Sequence, residues 1–355
     1  MTSTFKFFPP DDITTVRSVL YEAVPITGTI VSGTYSDLNI KNYAATGMFQ
    51  SVYDYPFLSS SANHIFDLTV GYSSDSALSG VVADTSRVQI QKKINIYNQM
   101  AQVLVGYDAT GSIRKFDQDG SLETGAKMSE VLFINLARLL TKDEVKKQSF
   151  SLSVFTGSYV TGPSGSLTIQ DHGASTTYKV NSPAGEYGIL YTSSVNPGVA
   201  LAGNDGVGLI YYQAGVVVLT ASIFDGGPAL NGYFGTPEYS QSTINNYLIS
   251  GSISGACDGI RNRLSNLSFN NTTEINSTIY FCEAHANEFN YSANPTYLTA
   301  SKIRVKENAT ENPHSYITTV GLYSANKELL ATAKLSQPIK KTVSDRINFK
   351  VRLDY

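Results

Sequence analysis

Tryptophan is absent from this chain, and cysteine occurs only twice, at Cys257 and Cys282. Two thiols exclude a disulfide-stapled fold and any zinc module built on four thiolates. Charge is scarce as well: Asp, Glu, Lys and Arg make up 15% of the 355 residues, against about 25% in a typical soluble domain. There is no basic-then-apolar leader pattern in Met1-Thr-Ser-Thr-Phe-Lys-Phe-Phe-Pro-Pro10, so signal-peptide secretion is not expected. The six N-x-Ser/Thr triplets opened by Asn266, Asn270, Asn271, Asn276, Asn290 and Asn308 then read as Asn/Ser/Thr-rich β-turn surface rather than glycan sites. A long apolar run is missing too. Gly206–Phe224 carries no charge, but three glycines, Gln213 and the pair Tyr211-Tyr212 divide it. It predicts a hairpin of two buried strands, Gly208–Tyr212 and Val216–Phe224, and not a membrane helix.

What is present is apolar and aromatic. Hydrophobic residues reach 42%, with 23 Tyr and 16 Phe. That is enough for a sizeable core under a surface of Ser, Thr, Asn, Gly and Tyr, which suits a protein packed in an assembly. A net charge of −3 argues against a nucleic-acid binder. The charge is also uneven. Residues 156–260 hold one basic residue, Lys179, six acidic ones and 18 of the 28 glycines, whereas residues 300–355 carry ten Lys/Arg and five Asp/Glu. Two candidate contact surfaces follow: the low-charge central zone and the basic C-terminal one.

The patterning predicts a mainly β fold with a minor helical part: several antiparallel β-sandwich-like domains and one long amphipathic helix in the N-terminal part. The expected organisation is an extended arm (1–12), an α+β domain (13–155), a Gly/Tyr-rich β domain (156–264) and a C-terminal antiparallel β-sandwich-like domain (265–355). Asp11 and Asp12 stand where an N-cap should, which with Ile13, Val16 and Leu20 predicts a short helix over Ile13–Tyr21. The long helix is placed over Ser86–Gly106. Ile90, Ile94, Tyr97, Ala101 and Leu104 form its apolar stripe, Lys92, Lys93, Asn95 and Gln99 face outward, and Gly106 closes it. Val131–Leu140 with Phe150, Leu152 and Val154 predicts strand, turn, strand. The clearest alternation is Ile347, Phe349, Val351 and Leu353 against Arg346, Asn348, Lys350 and Arg352. Leu329, Ala331, Ala333 and Leu335 alternate likewise, shortly after the apolar run Ile317–Tyr323. There are no heptads and no long repeat.

A search for chemistry ends without a site. His64, His172, His285 and His314 are scattered with no ligand spacing. Asp117-Gln-Asp-Gly120 lacks the oxygen ligands of a calcium loop and reads as a solvated turn. Gly203-Asn-Asp-Gly206-Val-Gly208 lacks the Lys-Ser/Thr of a phosphate cradle, and Gly251-Ser-Ile-Ser-Gly255 puts isoleucine where a nucleophile elbow needs serine. Cys257 and Cys282 are expected to be buried thiols. No catalytic residue, metal or cofactor is assigned. Tyr211, Tyr212, Tyr233, Tyr239 and Tyr247 admit two readings, a saccharide or protein contact surface and ordinary strand tyrosines.

Several stretches resemble structural proteins of contractile-tailed bacteriophages, in particular those of marine and cyanobacterial phages. They are Val52-Tyr-Asp-Tyr-Pro-Phe-Leu-Ser-Ser-Ser-Ala-Asn-His-Ile-Phe-Asp67, Ile94-Asn-Ile-Tyr-Asn-Gln-Met100, Arg138-Leu-Leu-Thr-Lys-Asp-Glu-Val-Lys-Lys147, Val207-Gly-Leu-Ile-Tyr-Tyr-Gln-Ala-Gly215, Phe281-Cys-Glu-Ala-His-Ala-Asn-Glu-Phe-Asn-Tyr-Ser-Ala-Asn-Pro295, Tyr316-Ile-Thr-Thr-Val-Gly-Leu-Tyr323, Glu328-Leu-Leu-Ala-Thr-Ala-Lys-Leu-Ser-Gln-Pro338 and Val351-Arg-Leu-Asp-Tyr355. The resemblance implies a virion component and not an enzyme, most of all a baseplate wedge subunit, made in the host bacterial cytoplasm. Its partners would be other tail or baseplate proteins, in multiple copies per virion, with no nucleic acid and no membrane insertion. A receptor- or glycan-binding tail or fibre-attachment protein, or a neck component, is the alternative. The candidate assembly contacts are the arm residues Phe5, Phe7, Phe8, Pro9 and Pro10, and Arg346, Lys350, Arg352 and Tyr355 on or beside the last strand.

Overall fold

The computed structural model describes residues 5–25, 37–42, 47–80, 87–122, 124–156, 165–192, 206–224, 251–292, 298–299, 302–306 and 308–355. In chain order the strands are β1 (Ile13–Pro25), β2 (Ile40–Asn42), β3 (Gln50–Tyr53), β4 (His64–Tyr72), β5 (Phe116–Asp117), β6 (Lys127–Met128), β7 (Glu130–Leu136), β8 (Glu144–Val145), β9 (Ser151–Thr156), β10 (Gly165–Gln170), β11 (Tyr187–Leu190), β12 (Gly208–Tyr211), β13 (Val216–Thr220), β14 (Leu264–Ala284), β15 (Leu298–Thr299), β16 (Lys302–Ile303), β17 (His314–Tyr323), β18 (Leu329–Thr342) and β19 (Ile347–Asp354). The helices are α1 (Arg87–Leu104), α2 (Arg138–Thr141), α3 (Ala174–Thr177) and α4 (Ile253–Arg261). The fold is thus mainly β with a minor helical part, in several antiparallel sheets, consistent with β-sandwich-like architecture.

The chain divides into two compact units. The larger is Leu20–Thr273; the smaller combines Met1–Val19 with Glu274–Tyr355. The stretch 156–264, expected as a domain of its own, supplies strands to the sheets of the larger unit.

The larger unit holds a seven-stranded sheet in the order β11-β12-β13-β7-β4-β3-β2, with antiparallel neighbours throughout. Its central strands are apolar runs because both faces are covered. Val131–Ile134 and Val217–Leu219 are buried without alternation. In the same unit β9 pairs with β10 and with the first part of β14, and Phe150, Leu152, Val154 and Leu267 join the same hydrophobic cluster. The predicted hairpin is present as β12 and β13, in register from Gly208↔Leu219 to Tyr211↔Val216. The strand–turn–strand expected after Val131 is β7, α2 and β8–β9.

Helices α1 and α4 pack on β4. Gly71 permits the close approach: a Cβ there would lie 2.9 Å from the Lys93 carbonyl oxygen and 3.0 Å from the Tyr97 nitrogen. The C-terminal end of α1 closes as predicted, with the Gly106 amide donating to the Ala101 carbonyl at 2.9 Å. The stripe, however, is rotated from the expected one. Ile96, Tyr97, Ala101 and Leu104 are buried, Ile90 and Ile94 sit half-buried at its margin, and Lys93 is inside rather than outward. Lys93 lies one turn before Tyr97, so it shares that residue's face. Its ammonium donates to the Gly251 carbonyl and lies 5.5 Å from the Tyr72 ring centroid.

Two other expectations are corrected. Residues 13–21 are strand and not helix: Pro10–Asp12 form a 3-10 turn and β1 follows. The run Ile13-Thr-Thr-Val16 and Val19 are β-branched, which favours extended backbone over the coincidental helical spacing of 13, 16 and 20. The Asn/Ser/Thr-rich stretch is not turn surface around Asn266–Asn276 but the interior of β14, a 21-residue strand. A register shift between Leu264 and Asn266 breaks its alternation, which hides the strand from a period-two search.

The scarcity of charge in the central zone has a similar cause. Tyr187, Tyr211 and Tyr212 are fully buried, and the rings of Tyr187 and Tyr211 stack 5.1 Å apart. Among the described residues, the uncharged strands of this zone are core. Its buried carboxylate, Asp171, is surrounded by donors: the Phe150 amide at 3.0 Å, the Gln148 amide at 2.6 Å and the Tyr212 hydroxyl at 3.0 Å. Tyr233, Tyr239, Tyr247, the Asp225-Gly-Gly-Pro228 loop and Gly203–Asp205 lie outside the described residues.

Candidate assembly surface

All nine candidate contact residues fall in the smaller unit. There β14 pairs with β19 from Ser277↔Asp354 to Ala284↔Ile347. The alternation read from the sequence is realised: Val351 is buried, Ile347, Phe349 and Leu353 are half-buried, and Asn348, Lys350, Arg352 and Asp354 are exposed. The last strand is therefore an ordinary strand of its own sheet.

The arm is laid against the same unit. Phe5 meets Tyr323 edge-on with centroids 4.8 Å apart, and Phe8 tilts on Tyr280 at 5.5 Å. Lys6 donates to the Glu283 carbonyl at 2.9 Å and to Glu288 Oε2 at 3.0 Å. Phe7 is left 86% exposed, and Pro9 and Pro10 are exposed beside it. Pro10 occupies the first position of the 3-10 turn, where its missing N–H costs nothing. The arm thus presents one aromatic outward and anchors two, instead of standing free.

Two of the charged residues singled out on this unit are paired. The Arg346 guanidinium bonds Glu283 and holds that carboxyl below the usual carboxylate range. Asp354 Oδ1 accepts from the Ser277 hydroxyl at 2.6 Å and from Arg352 Nε at 2.6 Å, and both interactions lower its pKa. Lys350 is exposed with no ion pair among the described residues. Tyr355 is 72% exposed, while its backbone exchanges two hydrogen bonds with Asn276 at 2.8 and 3.1 Å.

Sequence reasoning missed the largest feature here, the β17–β18 hairpin, which among the described residues is a sheet of two strands only. It runs from His314↔Thr342 to Tyr323↔Leu329. The register slips where Thr318 faces Leu335–Pro338, at a proline that could not donate to the ladder. Tyr316, Tyr323, Leu329 and Leu330 are exposed. At its base Lys341 is fully buried, although the sequence placed it in a basic surface. Its ammonium donates to Asn290 Oδ1 at 2.8 Å and to the carbonyls of Asp345 at 3.2 Å, and Ala286 and Thr342 at 3.4 Å. The signal was available in part: on a strand, Lys340 and Lys341 must face opposite sides. Lys341→Met keeps the length but strands these acceptors, so the thermal midpoint should fall, with a loss of about 2 kcal/mol in chemical unfolding. An unchanged midpoint would contradict the anchoring role.

Among the described residues no group of three or more His, Cys, Asp or Glu is placed to hold a metal ion. Asp117 is buried, not solvated, because its carboxylate pairs with Lys127 and accepts from the Asp119 and Gly120 amides at 2.9 and 3.1 Å. Gly251–Gly255 opens α4, with the Ser252 hydroxyl accepting from the Gly255 amide at 3.1 Å. Cys257 is buried as expected and burial pushes its thiol up, while Cys282 is only half-buried. Tyr211 and Tyr212 are excluded from any contact surface by burial. Among the described residues no helix is long and apolar enough to cross a membrane. No known protein family matches the chain, and neither a curated protein nor a solved structure resembles it significantly.

Proposed function

We propose that this protein is a structural subunit of a contractile phage tail, in the baseplate wedge, acting through protein–protein contacts in the virion and not as an enzyme. The observation that carries the reading is the β17–β18 hairpin. A hairpin of two strands alone is marginally stable in water. This one extends over 10 and 14 residues with large apolar side chains exposed. Burial of those side chains in a particle gives such an element its stabilising third layer. The phage-like motifs Tyr316–Tyr323 and Glu328–Pro338 lie on it, so the resemblance and the exposed surface coincide.

Joining Ile317 to Ile339 through an Asn-Gly turn removes the outer hairpin and keeps its anchored base, because these residues are paired in the ladder. The shortened protein gives up the Phe5–Tyr323 ring contact, so it should fold with a slightly lower thermal midpoint than the full chain, and it should be lost from purified particles. Incorporation at the wild-type level, measured by quantitative mass spectrometry of virions, would refute the assignment of this hairpin to assembly.

A further inference from the structure

Among the described residues the outer edge of β19 is open, and the ladder shows which groups it offers. Tyr355 and Asn276 exchange both of their backbone hydrogen bonds. By the antiparallel alternation, Leu353, Val351, Phe349 and Ile347 also turn their N–H and C=O groups toward β14. The backbone groups of Asn348, Lys350, Arg352 and Asp354 therefore point away from β14. Among the described residues β19 has no second neighbour in its sheet, and these four residues are all exposed.

We propose that this edge pairs with the same edge of a second copy of the chain, antiparallel about a two-fold axis, in the register that sets Arg352 opposite Arg352 of the second copy. Charge and ladder length together select that register. Centring the axis on Lys350 would oppose two lysines that have no ion pair among the described residues, centring it on Val351 would oppose Lys350 to Arg352, and centring it on Leu353 would leave only two opposed backbone pairs. Centring it on Arg352 sets Lys350 opposite Asp354 in both directions. Lys350 has no ion pair among the described residues, and Asp354 has Oδ2 left over because Ser277 and Arg352 both bond Oδ1. The two arginines that meet on the axis each keep their own Asp354.

The opposite face is self-complementary in the same register. Tyr355 lies on the side of Leu353, with its hydroxyl 3.1 Å from the Thr278 hydroxyl. Pairing brings Tyr355 opposite Phe349 of the second copy, and Val351 opposite Leu353, so an aromatic that is 72% exposed gains a ring to pack on. The three opposed backbone pairs supply about six N–H···O bonds. An isologous contact of this kind closes on itself and gives a dimer, not a fibre. This inference does not depend on the proposed place in a phage tail.

Purified full-length protein should sediment as a dimer at micromolar concentration. Lys350→Pro removes only an outward N–H, because Lys350 is not among the residues bonded to β14, and a proline is tolerated at such an edge position. It should leave the thermal midpoint nearly unchanged and give a monomer. Lys350→Asp, which keeps the backbone donor and opposes Asp354, should weaken the dimer at least tenfold. It decides the matter if the proline variant misfolds. In the dimer, Arg352→Cys should form an intermolecular disulfide on mild oxidation, since hydrogen-bonded partners lie about 5.5 Å apart at Cα. A wild-type monomer up to ~100 μM, well above a micromolar dissociation constant, or a dimer indifferent to both Lys350 variants, would overturn the proposal. Cross-linking through Val351→Cys in place of Arg352→Cys would overturn the register.

Discussion

Replacing Asp171 by alanine is expected to destabilise the larger unit by about 3 kcal/mol at neutral pH, seen as a lower urea midpoint with an unchanged slope. The carboxylate is 1% exposed and accepts from two backbone amides and one tyrosine hydroxyl. Alanine leaves two buried donors, the Phe150 amide and the Tyr212 hydroxyl, and the partly buried Gln148 amide without an acceptor, each buried one costing about 1–3 kcal/mol. Against that stands the cost of burying the charge itself, which raises the Asp171 pKa despite the bonds it accepts. The donors outweigh it, because the bonds left unmet by alanine exceed a desolvation cost that those same bonds partly offset. The sign with pH follows. A carboxyl whose folded pKa lies above its unfolded value near 3.8 keeps a proton in the folded state that the unfolded chain has released. Its stabilising contribution is fully present below the unfolded pKa and declines as pH rises through the folded one. The gap between wild type and Asp171→Ala should therefore narrow as pH rises from about 4. Asp171→Asn should fall between the two proteins, since one carboxamide oxygen accepts while its NH2 meets a donor. A loss below about 1 kcal/mol for alanine would show that water replaces the carboxylate.

Asp171 also explains why composition alone does not reveal the central strands as core. A solitary acid among glycines and tyrosines looks like a sparse surface, yet it is the acceptor that ties the turn before β9, through Gln148 and Phe150, to the end of β12 at Tyr212. Composition reports how many charges a segment has and not which way they face. Where periodicity was strong and one face was wet, as in β19, strand and facing could both be read from the residues. The buried hairpin β12–β13 was equally legible, because a glycine-containing break divides two uncharged runs. Legibility failed where tertiary contacts overrode local pattern. The bulge after Leu264 put the polar segment 264–284 into the interior of a sheet, and the β-branched run after Asp12 overrode an N-cap signal. At the candidate surface the arm and the last strand were visible as segments. Their docking was not, because Phe5 and Phe8 pack on Tyr323 and Tyr280, more than 270 residues away.

The buried lysine of α1 gives a second large effect, with the opposite dependence on pH. Lys93 is 1% exposed, and burial pushes its ammonium down to about 8. The unfolded chain holds that proton up to about 10.4. Between these values the unfolded state binds more protons than the folded one, so stability rises with pH across the window. A shift of this size corresponds to something of the order of 3 kcal/mol. Lys93→Met has no such group. Relative to wild type it should be favoured most near pH 7, where the wild type still carries a buried charge, and should lose that advantage steadily between about pH 8 and 10.5. Other lysines and the tyrosines titrate in both proteins and cancel in the difference. The methionine variant also leaves the Gly251 carbonyl without the Lys93 donor and gives up the contact with the Tyr72 ring. The lost hydrogen bond shifts the comparison by a nearly constant amount, whereas the cation–ring attraction lasts only while Lys93 is protonated and so belongs to the pH-dependent part. The slope of the difference against pH is thus the discriminating quantity, read from urea unfolding at pH 7, 8, 9 and 10. A flat difference would mean that Lys93 keeps its proton at an ordinary pKa, and that the packing of α1 on β4 opens enough to hydrate it.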